Sequence, residues 1–125
     1  MGEDSKRSYD LEERLLSYGA QIITLTRLLS AGYAERHVSN QLLRAGTAPL
    51  SHHGEAQAAE SPADFIHKLR LGLKELREAE RWLKLIKHAD LAPQNYNLSP
   101  LLDETDQLVR IFVSSIATAE KRRQK

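Results

Sequence analysis

Apolar residues recur along this chain at alternating steps of four and three. Leu11, Leu15, Tyr18, Ile22, Leu25 and Leu29 form the first such seam, the spacing of a helix that buries one stripe and wets the rest. Asp10 with Glu13 reads as a helix start and Gly32 as a stop, which predicts a first helix over residues 9–31. A second helix over 34–58 carries Val38, Leu42 and Ala45 inward. Pro49 interrupts it: proline offers no donor to the carbonyl of Ala45 and its ring clashes there, so the helix is expected either to kink near Pro49 or to break into a loop over 46–53. Ser61-Pro62-Ala63-Asp64 combines a capping serine, a proline at the first helical position and an early acid. It opens a third helix over 62–88, whose seam is Phe65, Leu69, Gly72, Leu76, Ala79, Leu83 and Ile86. Ser99-Pro100 repeats the signal for a fourth helix over 100–121, with Leu101, Leu102, Leu108, Val109, Phe112, Ile116 and Ala119. Four amphipathic helices with short connections predict an all-α fold, an antiparallel up-down-up-down four-helix bundle over 9–120. Residues 1–8 are expected to be a flexible N-terminus and 121–125 a basic tail.

Composition narrows the class further. At 125 residues, with 41% hydrophobic and 28% charged positions, the chain is one globular domain with a real core. The absence of cysteine removes disulfides and thiolate metal sites and points to a reducing, cytoplasmic setting. No N-terminal apolar stretch reads as a signal peptide, and no apolar run approaches the ~20 residues of a membrane span, so no membrane partner is expected. The net charge of +1 removes the simplest argument for nucleic-acid binding, leaving only the distribution of charge.

That distribution is uneven on the third helix. His67, Arg70, Lys74, Arg77, Arg81, Lys84 and His88 fall on one line, roughly opposite the core seam on a wheel of ~100° per residue. Cations at one-turn intervals can track a nucleic-acid backbone by displacing its counterions. The same line also reads as a solvated face with pairs such as Lys74–Glu78 and Glu80–Lys84. A further line holds Leu71, Glu75, Glu78, Trp82 and Leu85. It is either a subunit interface anchored on tryptophan, with the two acids at its rim or paired by a neighbour's basic residue, or the edge of a wider core.

Catalytic and metal chemistry find little here. His52-His53 with Glu55, and Asp64-x-x-His67, are the only metal candidates, and the Glu-x-x-His pairs of di-metal bundles are missing. No nucleophile elbow, phosphate loop or dinucleotide fingerprint occurs. No cofactor and no enzymatic activity are expected.

Three blocks carry a family resemblance: Asn40-Gln41-Leu42-Leu43-Arg44-Ala45-Gly46-Thr47, then Gly54 through Ser61, then Asp64-Phe65-Ile66-His67-Lys68-Leu69 with the charged helix through Trp82-Leu83. In order and spacing they resemble the small bacterial four helix bundle protein family, the 23S ribosomal RNA intervening-sequence proteins, over residues 10–118. Accessory proteins of diversity-generating retroelements are more distantly similar. The resemblance implies a ring-like homopentamer and an RNA or ribonucleoprotein partner; Asn40, Gln41 and Arg44 recur in the family pattern, a polar trio that either contacts RNA, with Arg44 as the nucleic-acid-binding residue, or holds an interface, or simply makes helix-surface hydrogen bonds. Where the family has a Ser-x-Gly-Ala-Asn-Tyr stretch, this chain reads Ala48-Pro49-Leu50-Ser51-His52-His53, so no role of that Asn or Tyr carries over. The closest rival to the RNA reading is a protein–protein adaptor with no nucleic-acid role.

Overall fold

The computed structural model describes residues 2–124, apart from the side chains of residues 2–5 and 7–9; Met1 and Lys125, at the tips of the expected flexible start and basic tail, lie outside it. Four helices follow in order: α1 (Gly2–Leu28), α2 (Tyr33–Gln57), α3 (Pro62–His88) and α4 (Ser99–Gln124). No strand occurs among the described residues. The architecture is the all-α four-helix bundle that the seams predict.

Those seams form the core. Leu15, Tyr18, Ile22 and Leu25 of α1 close on Leu42 and Ala45 of α2, on Leu76, Ala79 and Leu83 of α3, and on Leu108 and Phe112 of α4. Two glycines set the distances between helices. A Cβ on Gly46 would lie 2.7 Å from Ile22, and one on Gly72 would lie 2.6 Å from Phe112. Hydrogen at these positions therefore lets α2 approach α1, and α3 approach α4, closely enough for the larger side chain to lie across the neighbouring backbone.

The ends of the helices differ in detail from the sequence reading. α1 already begins at Gly2 and ends at Leu28, while Gly32 serves as the N-cap of α2. α2 runs unbroken through Pro49, which is buried, so there is no loop over 46–53. The missing proline donor leaves the Ala45 carbonyl without its helical partner, but the surrounding turns hold the helix together. At α3 the cap is as expected: the Ser61 hydroxyl accepts from the Asp64 N–H at 3.0 Å, with Pro62 at the first helical position. At α4 the side chain of Asn97, rather than Ser99, does the accepting, from the Ser99 N–H at 3.1 Å. The C-terminal basic residues Lys121, Arg122 and Arg123 belong to the last turn of α4, where the helix dipole favours cations. α3 ends at His88, and just beyond its cap Asp90 takes a left-handed φ of 57°. The Leu91 N–H then bonds back to the Ile86 carbonyl at 3.0 Å, the closing bond of a Schellman turn.

The helices do not pack evenly. α2 and α3 share the most extensive contact, α1 lies on α2 and α4 on α3, whereas α1 and α4 barely touch. Polar links bridge that thin side. The Tyr18 hydroxyl lies 2.7 Å from Thr105 Oγ1, both groups buried, and the Arg14 guanidinium meets Glu104 at 2.6 and 3.1 Å and Gln107 at 3.1 Å.

Candidate nucleic-acid interface

The line of cations on α3 is fully presented to solvent: His67, Arg70, Lys74, Arg77, Arg81, Lys84 and His88 are all exposed. They are outward because the α3 seam is so regular. Ile66, Leu69, Gly72, Leu76, Ala79, Leu83 and Ile86 are buried, and the cations occupy the opposite side of the same turns. Local anchors order part of the line. Arg70 pairs with Glu120 of α4, Lys84 reaches Glu80 at 3.9 Å, and Arg81 donates to the Arg77 carbonyl at 3.2 Å. The Glu80–Lys84 pair read from the sequence is thus present in loose form. Glu78 is engaged elsewhere than with Lys74.

Arg44 does not join this line. Its guanidinium lies across the α2–α3 contact, donating from Nη1 to both oxygens of Glu75 at 2.9 and 3.1 Å, and from Nη2 to Glu78 and to Gln41 at 3.3 Å. A guanidinium fork held by two carboxylates is a fixed bridge with its charge locally compensated. The structure thus assigns Arg44 to the seam between α2 and α3, away from the basic face, and Gln41 completes the bridge.

The same bridge relocates the second line of α3. Glu75 and Glu78 are paired by Arg44 of their own chain, where the sequence reading looked to a neighbouring protomer. Trp82 donates from its indole N–H to Glu78 at 3.0 Å and meets the His37 ring edge-on, with centroids 6.0 Å apart at 77°. This indole bond, and then Arg44, hold the Glu78 carboxyl below the usual carboxylate range. Trp82 is partly buried against the core of its own chain. Leu71 is half-buried, and Leu85 remains 43% exposed.

The histidines separate as well. His52 faces outward, with Nδ1 3.0 Å from Glu55. His53 turns inward and is buried, continuing a seam that steps from Ala45 through Pro49 to His53 and Ala56. Among the described residues no three His, Cys, Asp or Glu side chains converge as a metal would need.

A four-helix bundle with an Arg44–Glu75–Glu78 charge bridge across the outer edge of the α2–α3 contact and a file of exposed cations on α3 defines a helical-bundle protein whose charged groups lie on its surface. The chain is similar to the crystal structure of a protein of unknown function from the S23 ribosomal protein family of Bacteroides thetaiotaomicron. The TM-score is 0.80 and the identity 28%, over 88% of this chain and 97% of that one. No family model matches the chain, and no curated protein matches it. No helix among the described residues is long and apolar enough to cross a membrane.

Proposed function

We infer that this protein is a non-enzymatic, self-associating helical scaffold that contacts RNA or a ribonucleoprotein through the outer face of α3. The observation that carries this reading is the file of exposed cations from His67 to His88 on a single rigid helix. At ~5.4 Å per turn, such a file can meet successive phosphates without base contacts, so it favours shape and charge over sequence. The ribosomal name of the structural neighbour's family agrees with a ribonucleoprotein setting. Self-association, to a pentamer as the family resemblance implies, would use the exposed Leu85 with Leu71 and the rim of Trp82.

Binding to a structured RNA, titrated at several salt concentrations, tests this reading. Engagement of about four to six phosphates gives a log–log salt slope of roughly −3 to −5. Charge reversal of Arg70, Lys74, Arg77 and Arg81 to Glu should abolish binding, whereas reversal of Arg27 and Arg36 on other helices should not. Binding that ignores salt, or survives reversal of the α3 file, refutes the RNA reading. A second reading, the protein–protein adaptor, draws support from the apolar Leu16 and Ile23, which are exposed two turns apart on α1. It requires a protein partner that Leu16→Asp releases and the α3 reversals do not.

A further inference from the structure

The thin side of the bundle holds an open groove. Where the start of α1, the end of α2, the start of α3 and the last turns of α4 draw together, a cleft of about 900 Å³ remains, within the size range of sites that enclose small organic ligands. Its floor is apolar: Leu11, Phe65, Leu69 and Ile111. Its edge is cationic among the described residues, with Arg110, Arg122 and Arg123 beside Asp10, and Ser114 and Thr118 add hydroxyls along the α4 wall. Arg123 makes no salt bridge among the described residues, and Arg110 is held only by Asp106 of its own helix, at 2.9 Å.

His53 lines the same groove. It is 2% exposed, and its Nδ1 has no hydrogen-bond partner. Buried polar atoms are nearly always satisfied, so an orphan nitrogen in a groove wall needs an explanation. A leucine would fill this step of the α2 seam without that penalty. Depending on its tautomer that nitrogen can donate or accept, so a polar group of a ligand or a water entering the cleft can satisfy it.

We propose that this groove is a binding site for an amphiphilic organic anion, with its apolar body on the Leu11–Phe65–Ile111 floor and its acidic head on the Arg110 and Arg123 edge. The shape and the charge select together: an apolar floor alone would accept any greasy molecule, and an arginine edge alone would accept any anion. The basic face occupies another side of the same α3 turns and keeps its own test; Arg123 also borders His67 and Arg70, so Arg110→Glu and Ser114→Trp are the variants that keep the two tests apart.

The fluorescent anion 1-anilinonaphthalene-8-sulfonate serves as the probe on the intact chain. It should bind saturably at one site per chain. Laurate and decyl phosphate should displace it, and dodecanol, with the same body and no charge, about tenfold or more weakly. Comparing the carboxylate with the phosphate identifies which head the edge prefers. Arg110→Glu with Arg123→Glu should weaken probe binding by about tenfold or more, and Ser114→Trp should block the cleft while circular dichroism reports an intact bundle. Non-saturable binding, equal displacement by dodecanol, or indifference to both the reversal and the tryptophan overturns the proposal. So does a probe signal per chain that declines as protein concentration rises, because it would give the groove to a second copy.

Discussion

The Tyr18–Thr105 bond offers the sharpest test of how α1 and α4 are held. Thr105 Oγ1 lies 2.8 Å from the Leu101 carbonyl and 2.7 Å from the Tyr18 hydroxyl, and both residues are fully buried. A threonine hydroxyl has one proton, and a carbonyl can only accept, so that proton goes to Leu101 and tyrosine must be the donor to threonine. The two truncations are therefore unequal. Thr105→Val keeps the volume but strands a buried phenol with no acceptor, a loss of about 1–3 kcal/mol. Tyr18→Phe removes the donor while Thr105 still satisfies itself on Leu101, so it should cost about 0.5–1.5 kcal/mol. The double variant replaces the pair by apolar groups of matching shape and should cost less than the sum, with a coupling of about 1 kcal/mol or more. Urea and thermal unfolding by circular dichroism measure all three, at about 4 °C of Tm per kcal/mol for a domain of this size. Burial also pushes the Tyr18 phenol up to about 12 from 10.0. The unfolded chain then loses its proton first, so stability falls as pH rises from 10 toward about 12, and Tyr18→Phe should flatten that decline. Strict additivity, or a costlier Tyr18→Phe than Thr105→Val, would refute the assignment of donor and acceptor.

Gly72→Ala forces a Cβ to within 2.6 Å of the Phe112 ring and should destabilise by about 1–3 kcal/mol in urea titration, against the gain that alanine gives in an open helix. Asp90→Gly should do the opposite: it relieves a left-handed φ of 57° and removes an acid from the negative end of α3, raising stability by about 0.5–1 kcal/mol in the same assay. Burial lowers the His53 pKa, opposed by the Glu12 carboxylate, so the unfolded chain takes up its proton first as pH falls. Stability contributed by the neutral imidazole is present above the ordinary value of 6.5 and is lost as pH drops below it, and His53→Leu should remove that acid-side loss in unfolding curves recorded from pH 7.5 to pH 5.

The seams of α1, α3 and α4 were legible because aliphatic residues keep strict phase there, and each helix betrays its buried stripe without knowledge of its neighbours. Thr105 and Ile66 escaped for different reasons. Thr105 is polar and tolerable inside only because Tyr18, on another helix, supplies a donor. Ile66 adjoins Phe65 in sequence, and a single-stripe reading keeps one of the two. His53 had a signal: it lies in phase with Val38, Leu42, Ala45 and Pro49, but next to His52 and close to Glu55 it reads as a candidate metal ligand rather than as part of a buried seam. The basic face was legible as a face, since one helix wheel is enough to align its cations. Arg44 was not, because whether an arginine reaches solvent or a carboxylate depends on what the adjacent helix brings opposite it, here Glu75 and Glu78. That information exists only once α2 and α3 are paired.

The nearly missing contact between α1 and α4 also bears on how the chain reaches this fold. Every large helix–helix surface joins elements adjacent in sequence, so the bundle can assemble by successive closure of three hairpins, with no long loop to be ordered in advance. Chains with such local wiring fold in microseconds to milliseconds. The outer two helices each pack on the α2–α3 pair over their own surface and are joined to one another through the Tyr18–Thr105 and Arg14–Glu104 links. Amide exchange should follow the same hierarchy, with α2 and α3 protected to the global limit and the outer helices opening at lower free energy, coupled to one another through Tyr18 and Thr105.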